Sequence, residues 1–159
     1  TRFGMQWVMP EEYAQVCYYG RGPVENYIDR KESQHLGIFS QSVAEQYHAY
    51  IRPQESGNHS DVRYWQVLNA KGEGLEFKAH GPMECSSLNY FPSDLDDGPD
   101  KNARQSHSGG LTPRNLTVTQ VAQTQMGLGC VNSWGAWAEQ EYLLGWKDRE
   151  FMYTVKYIK

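Results

Sequence analysis

The residues that could do chemistry here are acids, histidines and aromatics, and their spacing limits what each set can do. Glu25, Asp29, Glu55 and Asp61 are candidates for displacement at a sugar carbon. That reaction needs two carboxylates about 5 Å apart across the bond that breaks. Arg21, Arg30, Arg52 and Arg63 are interleaved with them. The same acids are therefore expected to hold turns, by accepting backbone N–H bonds or by pairing with guanidinium groups. The histidines His35, His48, His59, His80 and His107 make no His-Glu-x-x-His pair of the zinc-hydrolase type. No Gly-x-Ser-x-Gly elbow offers an acyl-transfer serine. Gly20-Arg21-Gly22-Pro23 contains a proline and leads into no helical pattern, which excludes a phosphate cradle. Cys17, Cys85 and Cys130 are widely scattered and read as free thiols, neither metal ligands nor a disulfide framework.

The aromatics are the strongest compositional bias, with 11 tyrosines and 5 tryptophans in 159 residues. Such side chains suit half-buried strands, and the face of one can also rest on the C–H side of a pyranose. The net charge of −4 comes with no Lys/Arg cluster, so no nucleic-acid partner is expected. No apolar stretch approaches the roughly 20 residues a membrane helix needs, and no membrane partner is expected. The first residue is Thr1, which we read as a cut from a longer chain or a processed product. The compartment stays open between bacterial cytoplasm and periplasm.

Most elements that must position these residues read as strands between turn signals. Gln15–Tyr19 ends at the Gly20–Pro23 turn, Asp61–Leu68 alternates and stops at Asn69–Gly72, and Leu75–Ala79 alternates again, so these two read as a hairpin or as neighbouring strands. Ser86–Phe91, Leu116–Ala122 and Phe151–Ile158 follow as strands. Helix is confined to a turn or two at Ser42–Tyr47, capped by Ser40 or Ser42, and one turn at Asp94–Asp97. Residues 92–110, rich in Asp, Ser, Gly and Asn, are expected to form an exposed, mobile loop. Many short strands with frequent turns predict one all-β domain over 1–159, an antiparallel β-sandwich.

Four segments in order carry a resemblance. Tyr18-Tyr19-Gly20-Arg21-Gly22-Pro23-Val24-Glu25-Asn26-Tyr27-Ile28-Asp29-Arg30 resembles the signature of the C-terminal domain of large bacterial β-galactosidases, glycoside hydrolase family 2. Tyr50–Arg63 resembles the family's Pro-Gln-Glu-x-Gly segment, and Gln125-Met126-Gly127-Leu128-Gly129-Cys130-Val131-Asn132-Ser133-Trp134-Gly135 its Gln-Met-Gly-Val-Gly-Gly-Asp-Asn-Ser-Trp-Gly loop. Arg2-Phe3-Gly4-Met5 fits the strand leading into the first signature.

The resemblance implies a galactose-mutarotase-like supersandwich of which this chain is the latter part. An unpaired sheet edge could then pair with a second copy, giving a homo-oligomer. The resemblance also implies a non-catalytic domain, with the two catalytic glutamates in another domain of the same enzyme. It implies no cofactor in this chain, any magnesium and sodium ions being bound by other domains. Trp134 would offer its ring to the aglycone of a β-galactoside such as lactose, while Asn132 and Ser133 hold the loop. Arg21, Glu25, Asn26, Asp29 and Arg30 are read as structural, fixing a turn through charged hydrogen bonds. Cys130 and Val131 stand where the family has Gly and Asp, a departure that bears on the loop's geometry. The alternatives are a stand-alone carbohydrate-binding module and an aldose-epimerase-like protein.

Overall fold

The computed structural model describes residues 1–96, 107–129, 132 and 135–159. Within them the chain forms nine strands: β1 (Arg2–Pro10), β2 (Gln15–Gly22), β3 (His35–Ser42), β4 (His59–Val62), β5 (Tyr64–Leu68), β6 (Gly74–Ala79), β7 (Met83–Leu88), β8 (Leu116–Gln125) and β9 (Tyr153–Ile158). They pair into two antiparallel sheets, ordered β1-β8-β7-β4 and β3-β2-β5-β6-β9. The described helical segments are 3-10 turns of three or four residues. The architecture is an all-β antiparallel sandwich.

Alternation explains the clearest strands. Val16 and Tyr18 on β2, Trp65 and Val67 on β5, and Phe77 on β6 point inward, where they meet Met83 and Cys85 of β7 and Val121 of β8. Trp65 is the largest fully buried side chain among the described residues. Its Nε1 donates to Ser87 Oγ at 2.9 Å, and Ser87 shares a 2.8 Å bond with Thr119 Oγ1, so the two sheets are tied through the core. Trp65→Phe is expected to cost about 1–3 kcal/mol, by removing the donor and leaving space. Denaturant unfolding of Trp65→Phe, Ser87→Ala and the double variant measures the coupling, and strictly additive costs would argue against it.

The Asp61–Leu68 run is two strands in different sheets, not one. The chain crosses between sheets at Arg63, whose N–H donates to Tyr19 O at 2.7 Å. The register of β4 against β7 shifts between His59 and Val62, a bulge that contains Asp61 with φ of 56°. The Leu75–Ala79 partner falls within β6, paired with β5 as expected. The Ser86–Phe91 strand is displaced toward the N-terminus as β7, and β3 is an additional strand. Ser42 caps the turn Val43–Gln46, and Glu45 completes a capping box. The ends of the 92–110 stretch are tied down, with Leu95 and Ser108 both buried. Asp94 there accepts from the Phe91 amide at 2.8 Å and from Arg114 Nε and Nη2 at 2.7 Å each. Its middle, 97–106, lies outside the described residues.

One flank of the sandwich is open. Met5 pairs with core Val121, Val155 with core Phe77, and Tyr157 with Leu75, so all three share the inward faces. They are nevertheless 54%, 39% and 51% exposed. The outermost strands β1 and β9 meet there through Trp7, whose Nε1 donates to Tyr153 Oη at 3.3 Å.

Candidate functional site

The Tyr18–Arg30 signature runs off the end of β2 into a loop whose residues Glu25, Asn26 and Tyr27 are all buried. A buried loop must find partners for its polar groups, and these find them on the 50–61 segment. Asn26 N donates to Asn58 O at 2.7 Å. Its Nδ2 donates to Arg21 O at 2.9 Å and Val24 O at 3.1 Å, and its Oδ1 accepts from Ser60 N at 2.9 Å. Two donors and one acceptor are used at once, which an aspartate could not match. Asn58 Nδ2 returns a bond to Asn26 O at 2.9 Å and reaches Glu84 Oε2 at 2.7 Å, which Ser60 Oγ also reaches at 2.7 Å.

Glu25 is the second hub. Oε1 accepts from Arg30 Nη2 at 2.9 Å and from the Tyr50 hydroxyl, and Oε2 accepts from Tyr27 Oη at 3.2 Å and Gly57 N at 2.6 Å. The Arg30 guanidinium also lies over the Tyr27 ring, 5.4 Å from its centroid. Arg21 Nε donates to Asp61 Oδ2 at 2.6 Å, its Nη1 reaches Lys31 O and Gln34 O at 3.2 and 3.0 Å, and Lys31 Nζ takes Asp61 Oδ1 at 3.0 Å. Burial pushes the Asp61 carboxyl up, but the bonds from Arg21 and Lys31 outweigh it and hold it below the usual range. Two groups inside this network have displaced ionisations. Burial pushes Glu84 up to about 7 against the bonds from Asn58 and Ser60. Burial pushes His59 down to about 4 against its bond to the Arg21 carbonyl.

Asp29 does something different from its neighbours. Its Oδ2 accepts from Gly129 N at 2.8 Å, so it reaches the Gln125–Gly135 loop and not the signature's own turn. Asn132 is exposed, and its Oδ1 accepts from Ala136 N at 3.4 Å. Ser133 and Trp134, together with Cys130 and Val131, lie outside the described residues. Farther along the chain, Trp137 and Trp146 stand 74% and 106% exposed.

The partners that sequence reasoning did not single out are Tyr50, Asn58, Ser60 and Glu84. The first three lie within the quoted Tyr50–Arg63 motif, whose polar richness was the available signal. Glu84, near the start of β7, carried none.

A separate cleft of about 300 Å³ opens on the outer face of β7 and β8, lined in part by Arg2, Glu55, Ser86, Leu88, Tyr90 and Gln120. Arg2 Nη2 donates to Glu55 Oε1 at 2.5 Å, and Gln120 Nε2 to Gln6 Oε1 at 2.7 Å. These polar groups are therefore engaged with protein atoms. Among the described residues, no three His, Cys, Asp or Glu side chains converge as a metal site would require. No described helix is long and apolar enough to cross a membrane.

Residues 1–156 match the family model described as the β-galactosidase small chain. A β-galactosidase of Halalkalibacterium halodurans is 36% identical over 155 residues, covering 96% of this chain and 15% of that protein. One of Lactobacillus delbrueckii subsp. bulgaricus is 38% identical over 143 residues, covering 89% of this chain and 13% of that protein. One of Vibrio cholerae is 29% identical over 155 residues, covering 98% of this chain and 14% of that protein. The chain thus spans about one-seventh of the length of these relatives.

Proposed function

The chain belongs to the family of β-galactosidase small chains, and on that footing we propose that it is a non-catalytic domain of a retaining β-galactosidase, shaping the aglycone side of the active site. The observation that carries this reading is where the acids are spent. Glu84, whose raised ionisation would suit a general acid, is buried and occupied by Asn58 and Ser60. Glu25 is occupied by Tyr27, Arg30, Tyr50 and Gly57. Both are used to hold a loop in place rather than to move a proton on a substrate.

On this reading, lactose and related galactosides are cleaved by glutamates in another domain, and any magnesium and sodium ions are held there too. Trp134 offers an indole face to the aglycone, with Asn132 and Ser133 fixing the loop that carries it. The open flank at Met5, Val155 and Tyr157 is where the remaining domains of the enzyme, or a second copy, extend the sheets.

Trp134→Ala in the intact enzyme is expected to raise KM for lactose about tenfold, the equivalent of about 1.4 kcal/mol of aromatic contact. Unchanged KM and unchanged transfer to acceptor sugars would remove the aglycone role. Hydrolysis of a chromogenic β-galactoside by the purified chain alone would remove the non-catalytic one. The second reading is a sugar-binding module, for which the cleft beside Tyr90 offers space but has Arg2, Glu55 and Gln120 engaged with protein atoms. Millimolar galactose binding or mutarotation by the chain alone would select it over the first.

A further inference from the structure

We propose that β3 pairs, antiparallel and across a two-fold axis, with β3 of a second copy of this chain. The two five-stranded sheets then join edge to edge, with Ile38 opposite itself. This pairing does not depend on the reading of Trp134 above.

The described sheets have four edge strands, β1, β4, β3 and β9. A bare edge is a row of unpaired N–H and C=O groups that can take up another extended chain. Proteins guard against this with charge, proline, bulges or short length. Three of these edges are guarded. β1 has a bulge between Phe3 and Gly4 and ends at Pro10. β4 is four residues long and carries the bulge with Asp61. β9 has Lys156 in its interior. β3 has none of these devices. Its eight residues, His-Leu-Gly-Ile-Phe-Ser-Gln-Ser, include no proline and no Lys, Arg, Asp or Glu. Their register against β2 runs without a shift from His35 to Ser42.

The strand is also held with one face outward. Phe39 packs inward against the core, its ring centroid 5.4 Å from that of Tyr18. A Cβ on Gly37 would stand 3.0 Å from Phe39 Cζ, so the ring lies beneath Gly37 and fixes which face of β3 turns in. Leu36 and Ile38 are left on the other face, 44% and 69% exposed. Tyr19 stands beside Ile38 in the β2 register.

Two features point to a second copy rather than to an unrelated strand. Residues at the centre of a two-fold antiparallel pair face their own copies, so any charge there would meet a like charge. The centre of β3 is uncharged, and His35, its one titratable group, lies at the end of the strand. The second feature is the fit of the aliphatic side chains. With Ile38 opposite itself, Leu36 falls opposite Ser40, and Leu36 of each strand is diagonal to Ile38 of the other. The four exposed aliphatic groups then close on one another.

The test is the mass of the intact enzyme in solution, by light scattering and sedimentation. It compares wild type, Ile38→Lys, Ile38→Glu and an equimolar mixture of the two variants. Each variant alone sets like charges face to face. It is expected to halve the mass of the assembly and to raise the concentration for half-dissociation roughly hundredfold. The mixture sets opposite charges face to face and should recover the wild-type mass, which also shows that both variants fold. A monomeric wild-type enzyme would overturn the proposal. So would variants that keep the wild-type mass; with a lowered unfolding midpoint, they would show that another domain of the same enzyme covers β3. Lost mass that the mixture does not recover would overturn it as well, because Ile38 would then not face its own copy.

Discussion

Glu25→Ala is expected to be among the most damaging single changes in this chain, costing about 3–5 kcal/mol of folding free energy. The carboxylate side chain is only 4% exposed and accepts four bonds, from Arg30, Tyr50, Tyr27 and the Gly57 amide. Its removal takes an acceptor from a guanidinium, two hydroxyls and a buried backbone N–H, and the buried groups among them bear a desolvation cost. The loss is larger than for a surface ion pair, because the carboxylate and two of its partners, Tyr27 and the Gly57 amide, are buried. Glu25→Gln keeps the shape and one acceptor oxygen but gives up the charge facing Arg30, and is expected to fall between wild type and alanine. Denaturant midpoints of the three proteins, at constant m-value, check the ranking. An alanine variant within about 1 kcal/mol of wild type would mean that the loop finds other acceptors.

How much of this was legible depended on where each strand's partners lie. Strands with one face in the core declared themselves: Val16 and Tyr18 on β2, and Trp65 and Val67 on β5, follow the period of two. β3 did not, because it lies at a sheet edge with Leu36 and Ile38 exposed and only Phe39 packed inward, amid Ser and Gln. β7 is buried along its whole length. Glu84, Ser86 and Leu88 line one face and Met83, Cys85 and Ser87 the other, so its mixed sequence shows no alternation. The break between β4 and β5 had a signal that a scan for alternation passes over. The buried residues Val62 and Trp65 are three apart, and a continuous strand would not bury both on one face.

The signature residues were visible as a group, but their partners were not. Asn26 bonds Asn58 and Ser60 across more than thirty positions, and Glu84 closes that network from β7, the strand paired with β4. Local pattern holds no record of such pairing. Asp29 was read as a turn residue for the same reason, since its bond spans 100 positions.

Within the buried network, Glu84 and His59 are expected to make opposite demands on pH. Glu84 is raised from 4.5 to about 7, burial being the main cause, with Asp61 adding to it and Lys31 opposing. A raised carboxyl holds its proton more tightly in the folded state. Its contribution to stability is therefore complete below about pH 4.5 and is lost as pH rises to about 7, a change of about 3 kcal/mol. His59 is lowered from 6.5 to about 4, again by burial, with the Arg21 carbonyl and Glu25 opposing. Its Nδ1 lies 2.9 Å from that carbonyl, which can only accept, so the neutral ring carries its proton on Nδ1. A depressed imidazole loses its contribution as pH falls from 6.5 to about 4, again by about 3 kcal/mol. Between pH 4.5 and 6.5 the two slopes cancel, and these two groups together contribute a flat profile. Glu84→Gln retains an oxygen for Asn58 and Ser60 but cannot ionise. Relative to wild type, its stability should gain steadily from pH 4.5 to 7 and stay up to about 3 kcal/mol higher at pH 8. Urea unfolding of both proteins from pH 4 to 8 measures this difference. A gap that does not change with pH would show that Glu84 takes up its proton alike in the folded and the unfolded chain, and would overturn the raised ionisation.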